Sequence, residues 1–87
     1  MRIDPQEYNS EELDLIYIAA AVDEGQQVEA ILDEHGIDYA IQVEQYRSGV
    51  IFASVRAGAF FYVQADVAER SREILQQRGY KVQIPVE

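Results

Sequence analysis

The 87-residue chain contains no cysteine. That excludes a disulfide staple, a thiolate metal site and the paired thiols of a metal chaperone, and it leaves a small domain to rest on its apolar core. It does not fix the redox compartment. There is one histidine, His35, and one asparagine, Asn9. The five glycines are scattered, so there is no glycine-rich phosphate loop. No charged segment followed by an apolar one opens the chain, and no apolar run reaches the roughly 18 residues of a membrane span. A soluble, cytoplasmic protein without a membrane partner is the expectation. Bases are scarce as well: 7 Lys and Arg stand against 16 Asp and Glu, for a net charge of −9. Such a chain repels phosphate backbones, which disfavours a nucleic-acid partner.

The charge present is unevenly placed. Residues 1–44 hold twelve of the acids and a single base, Arg2, whereas residues 45–87 hold four acids and six bases. Acid on a small domain ordinarily just keeps it soluble. The asymmetry also suits a basic partner or the self-association of two unlike halves.

Residues 1–12, interrupted by Pro5, read as a flexible acidic tail, and residues 13–87 as one domain. LDLIYIAA (13–20) has the apolar, aromatic character of a strand. DEGQQVEAILDEHG follows. Asp23 and Gln26 have the spacing of a capping box, and Val28, Ile31, Leu32 and His35 recur at helical spacing as a buried stripe. Gly36 offers the left-handed residue that ends a helix. IDYAIQVEQY then alternates, with Ile37, Tyr39, Ile41 and Val43 on one face. Arg47, Ser48 and Gly49 signal a turn. DVAERSREILQQRG repeats the helix pattern: Asp66 and Glu69 at capping-box spacing, a stripe of Val67, Ser71, Ile74, Leu75 and Arg78, and a closing Gly79. YKVQIPV alternates again, and Pro85 marks it as an edge strand.

The two helix–strand units superpose at a constant offset of 43, for example Leu32 on Leu75 and Gly36 on Gly79. Two such halves make an α+β fold of the ferredoxin-like βαββαβ type: a four-stranded antiparallel sheet, spatial order 4-1-3-2, with two helices on one face. The uninterrupted apolar runs LIYI and FFYV suit central strands covered on both faces. The stretch 49–66, GVIFASVRAGAFFYVQAD, is longer than one strand of this pattern. The repeat assigns only about 58–64 to the third strand, so 50–56 are read as a bent extension of the β2–β3 hairpin, with Gly58 at the bend.

DEGQQVEAILDEHGIDYAI and FFYVQADVAERSREIL resemble a family of small prokaryotic domains labelled signal-transducing for their likeness in fold to PII-type nitrogen signal proteins. Glu29-Ala30, Gly36-Ile37, Val63, Asp66, Ala68 and Arg72-Glu73 carry the resemblance, over roughly residues 13–77. Gln64 and Ser71 depart from it, standing where the family often has proline and alanine. The resemblance implies a functional segment between the second and third strands, where 47–58 lie. The long effector loop of PII-type proteins is not matched, so binding of ATP or 2-oxoglutarate is not implied.

No nucleophile–base pair is legible. An acylphosphatase needs a catalytic asparagine, and Asn9 lies in the tail. His35 cannot share a helix face with its neighbours Asp33 and Glu34, so it reads as a helix-terminal cation rather than a metal ligand. Tyr17, Phe60 and Tyr62 sit where RNA-recognition domains stack bases, but the accompanying basic-glycine-aromatic spacing is broken and the charge is wrong. They read as packing or interface residues. The expectation is a non-enzymatic regulatory or protein-interaction module, with no cofactor or metal. It is expected to form a homodimer or meet a protein partner through Tyr17, Val50, Phe52, Arg56, Phe60 and Tyr62, on an apolar open sheet face and the adjoining insert. The alternative is a small-ligand sensor with its site between the 47–58 insert and that face.

Overall fold

The computed structural model describes residues 1–4, 12–48 and 54–83, with backbone alone at 46–48 and 54–56. The elements run β1 (Leu13–Ala19), α1 (Val22–Glu34), β2 (Ala40–Ser48), β3 (Ser54–Gln64) and α2 (Ala65–Gln77). The chain is α+β, and its three strands form one antiparallel sheet in the order β1-β3-β2. β3 is central and β2 an edge, as the repeat requires, but β1, expected to be central, is the other edge of the three described strands.

A fourth strand is not formed among the described residues. Residues 80–83 run beside β1 as irregular backbone, held by one backbone bond from Gln83 N–H to the Ile16 carbonyl at 2.8 Å. Arg72 ties the same segment to β1: its Nε donates to the Gln83 carbonyl at 2.7 Å and its Nη2 to the Leu15 carbonyl at 2.9 Å. Pro85 lies outside the described residues.

The first four residues lie against the domain. Arg2 bridges Tyr39 in parallel, Ile3 N–H donates to the Tyr39 carbonyl at 2.7 Å, and Tyr39 N–H donates to the Met1 carbonyl at 3.1 Å. Residues 1–4 thus satisfy backbone groups of the approach to β2, which an isolated edge leaves unpaired.

The repeat is reproduced at the level of backbone geometry. Both helices end in a Schellman turn. Gly36 (φ +68°) and Gly79 (φ +89°) take the left-handed position; Ile37 N–H returns to the Leu32 carbonyl and Tyr80 N–H to the Leu75 carbonyl, each at 3.0 Å. The N-termini differ from the capping-box expectation. The N-caps are Ala21 and Gln64, neither with a side-chain cap bond, so each helix starts ahead of its aspartate. Asp23 and Asp66 therefore fall in the first turn, where the helix dipole favours a carboxylate. Glu24 reaches back to the Ala20 N–H at 3.2 Å.

One apolar cluster joins both helices to the sheet: Val28, Ile31 and Leu32 from α1, Ala68 and Leu75 from α2, and Phe61 and Val63 from β3. The helical stripes are right except at their C-terminal members, since His35 and Arg78 are exposed caps. Arg78 instead pairs with Glu34 at 3.1 Å, tying the two helix ends together. β1 carries a bulge between Leu15 and Tyr17, which adds a residue to one strand. Ile16 and Tyr17 are consequently both buried in the core cluster, although they are neighbours in sequence.

Candidate functional site

The sheet register divides the expected interaction residues between two faces. Phe61 and Val63 are fully buried under the helices. Phe60 and Tyr62 alternate with them on β3, so they point to the open face and are half-buried there. Across the ladder Phe60 opposes Ile18, and Tyr62 opposes Leu15. Opposed residues share a face, so four apolar side chains from two adjacent strands form a block on the open side. Burial, and then the charge of Glu44, raise the Tyr62 phenol above its ordinary range, which keeps the side chain neutral.

Tyr17 is not part of this block, contrary to expectation. The bulge turns it to the helix side, where it is 5% exposed. It packs edge-on against Phe61, with ring centres 6.3 Å apart, and against Tyr80 at 5.7 Å. Its hydroxyl donates to the Glu24 carboxylate. The backbone of Arg56 pairs with that of Tyr46 in the extended hairpin. Val50 and Phe52 lie outside the described residues.

The hairpin is extended as expected, without a bulge at Gly58. β2 and β3 keep an unbroken register from Ala40↔Tyr62 to Ser48↔Ser54, with Gly58 opposite Glu44 and no bulge between. Residues 54–57 are therefore strand, part of the same 11-residue β3. Among the described residues the pairs from Glu44↔Gly58 outward have no third strand beside them, because the β1 ladder stops at Ala19↔Ala59.

A second feature was not anticipated. A groove of about 370 Å³ opens on the helix side, between the first turns of α1 and the β2–β3 pair. Phe61 and Ile41 lie on its sheet side, Ala57 and Ala59 carry that wall outward, and Val22 and Val43 stand on its rim. Val22 (79% exposed) and Val43 (77%) are two of the three large hydrophobics that stand out into solvent among the described residues. At the inner end Arg2 is held by Glu29, with Nη2 at 2.7 Å and Nε at 2.9 Å from one carboxylate oxygen, and the same oxygen accepts from the Tyr39 hydroxyl at 3.2 Å. Burial, then Glu29 and Asp33, hold the Tyr39 phenol well above its ordinary range. The sequence signal for this groove is the concentration of small residues in two distant places, Ala19–Ala21 and Ala57–Ala59. Only the fold makes them face each other.

Among the described residues no helix is long and apolar enough to cross a membrane, and no group of three or more His, Asp or Glu side chains is placed to hold a metal ion. The chain matches no protein-family model, no curated protein and no solved structure.

Proposed function

We propose that the chain is a non-enzymatic regulatory or protein-interaction module that works as a homodimer and docks its partner on the open face of the sheet. The observation that carries this reading is the apolar block of Leu15, Ile18, Phe60 and Tyr62 on the side of the sheet opposite the helices. Apolar side chains gathered on one face, rather than scattered singly, mark an interaction surface. The acidic character of residues 1–44 gives that partner a basic complement. The reading takes the fold to be ferredoxin-like, with the segment from Tyr80 onward as a fourth strand beside β1 in the order 4-1-3-2. The bond from Gln83 to Ile16 supports that placement. It also agrees with the resemblance to signal-transducing domains of PII-like fold, and with a cytoplasmic site of action.

The test is capture by immobilised protein. Phe60→Ser and Tyr62→Ser alter half-buried side chains and should leave the far-ultraviolet dichroism unchanged while losing the proteins that the wild type retains. If the variants retain the same set, the open face is not the docking surface.

A small-ligand sensor is a second reading, favoured by the groove beside Ala57 and Gly58. Its volume lies at the lower end of the roughly 300–1,000 Å³ usual for ligand sites. Of the polar side chains that line it, Arg2 and Glu29 are bonded to each other. A thermal-shift screen against metabolites tests it, and a shift abolished by Val43→Glu would favour it.

A further inference from the structure

The sheet leaves one long stretch of strand edge open. We propose that two copies of this chain pair along it, β2 against β2, antiparallel across a two-fold axis normal to the sheet, so that two sheets become one. The inference rests on the homodimer part of the preceding reading and specifies where the copies meet.

Backbone parity shows which groups are available. In an antiparallel ladder alternate residues turn both N–H and C=O toward one neighbour, and the residues between them turn both the other way. Tyr39 turns both outward: its N–H donates to the Met1 carbonyl at 3.1 Å, and its carbonyl accepts from Ile3 N–H at 2.7 Å. The register with β3 is unbroken from Ala40 to Ser48. Val43, Gln45 and Arg47 therefore keep the parity of Tyr39 and turn their N–H and C=O away from β3. Among the described residues no backbone bond meets these groups.

Elsewhere the chain covers its outer strands. Residues 1–3 lie along β2 at Tyr39, and residues 80–83 lie along β1, held by Gln83 N–H and by Arg72. An open edge is normally blunted by lysine, proline or a bulge. Residues 42–48 contain none of these. On the other border of the arm β3 is open only over 54–58, a shorter stretch. The chain's own hairpin connection does not span the β2 edge. From Ser48 to Val43 is five residues of ladder, about 17 Å at roughly 3.3 Å per residue. The middle of 49–53, tied at Ser48 and Ser54, stands within about 11 Å of Ser48 at the extended limit of roughly 3.6 Å per residue.

The limits of the open stretch set the register. Arg2 is level with Tyr39 and its segment runs parallel to β2, so Ile3 and Asp4 take the border up to about Ile41. A second strand laid antiparallel over the remaining 42–48 is centred on Gln45. Gln45 then faces Gln45 of the second copy, Val43 faces Arg47, Glu44 faces Tyr46 and Gln42 faces Ser48. Outward residues meet only outward residues, in three hydrogen-bonded pairs. Opposed positions are an even number of residues apart, so they share a face, as an axis normal to the sheet requires. No like charges stand opposite, and position 47 of each copy lies beside Glu44 of the other. The contact is isologous and closes at two copies. Val43, 77% exposed, gains a neighbour, and both open-face blocks lie on one side of a continuous sheet, free for a partner.

The experiment measures the mass of the full chain by sedimentation at micromolar concentrations, together with amide hydrogen exchange. Wild type should run at twice 9.9 kDa, and the Val43, Gln45 and Arg47 amides should lose protection as dilution dissociates the dimer. Gln45→Pro removes an outward N–H and takes no bond from the β2–β3 ladder, a place where a strand tolerates proline. It should give a monomer with unchanged dichroism. Ala57 is paired with Gln45, so its N–H also points away from the hairpin partner; Ala57→Pro makes the same change on the other border and should leave the dimer intact. Val43→Lys serves if Gln45→Pro does not fold. It sets a lysine opposite Arg47 at two symmetric positions and should give a monomer, and adding Arg47→Glu should restore the dimer. Wild-type monomer at every concentration would overturn both the inference and the homodimer reading. Three results would overturn the β2 pairing and leave the homodimer reading standing: a dimer that survives Gln45→Pro and Val43→Lys, a Val43→Lys monomer that Arg47→Glu does not rescue, or edge amides whose protection does not change as the dimer dissociates.

Discussion

At the residue scale the tyrosines carry the most informative chemistry. Tyr17 and Tyr39 are nearly inaccessible, and both are bonded to carboxylates on α1. Burial first, then those carboxylates, raise both phenols, and Tyr62 moves the same way. A phenol whose folded pKa exceeds its unfolded one contributes stability that is whole below the unfolded value, about 10, and is lost as pH rises through the folded value. The fold should therefore be insensitive to these groups at neutral pH and fail in alkali above about pH 10. In a phenolate absorbance titration, Tyr17 and Tyr39 should ionise only together with loss of dichroism; their ionisation in a folded chain would contradict the packing. The glycines divide just as sharply. A Cβ added at Gly36 would meet no atom within 4 Å, but the backbone there has a φ of +68°, so Gly36→Ala should cost about 1–2 kcal/mol from backbone strain alone. At Gly25 a Cβ meets Ala19 at 3.6 Å, an ordinary contact, within a helix. Gly25→Ala should stabilise by about 0.5–1 kcal/mol. Urea midpoints measure both. The sequence made Gly36 and Gly79 legible as stops, because helix termination is a local demand. It did not reveal the bulge at Leu15–Tyr17, which no glycine marks and which alone decides that Tyr17 faces the core.

At the element scale, the order β1-β3-β2 and both helices followed from periodicity and from the offset repeat. The capping boxes did not, because the spacing Asp-x-x-Gln fits a first-turn aspartate as well as an N-cap, and the helices begin ahead of both aspartates. The backbone of 80–83 is irregular, and what ties it to β1 is tertiary: the Arg72 guanidinium donates to both the Leu15 and the Gln83 carbonyls. An arginine on a helix gives no sequence sign that it will reach a strand 57 residues away. Arg72 is thus the clip that holds the C-terminal segment to the sheet. Charge-assisted bonds of this kind contribute more than neutral ones, so Arg72→Met should destabilise by about 1–3 kcal/mol. The Gln83 amide, which donates to Ile16, should lose hydrogen-exchange protection ahead of Phe61 and Val63. Equal exchange at Gln83 in wild type and variant would show that the segment is held by something other than this side chain.

At the scale of the whole molecule, the chain divides into a core and a projecting arm. The open face was legible, since FFYV must present alternate residues to both sides of a sheet, and Phe60 and Tyr62 fall where alternation puts them. The groove was not, because the small residues that line it lie in two places far apart in the sequence, and only the fold sets them opposite each other. Its existence follows from three strands being covered by two helices, with the β2–β3 pair left uncovered beyond Ala59. Among the described residues the arm beyond Glu44↔Gly58 pairs with no other strand, and the buried cluster takes no member from 44–58. Replacing residues 45–57 with Asn-Gly, a pair suited to a two-residue hairpin turn, should therefore spare the fold. The closed loop becomes shorter, which lowers closure entropy slightly. The melting midpoint should stay within about 4–8 °C of wild type, equivalent to less than about 1 kcal/mol for a domain of this size. Open-face capture should persist, because Leu15, Ile18, Phe60 and Tyr62 remain. A shortened chain that fails to fold would make the hairpin part of the cooperative core, and the separation of arm from core would then be wrong.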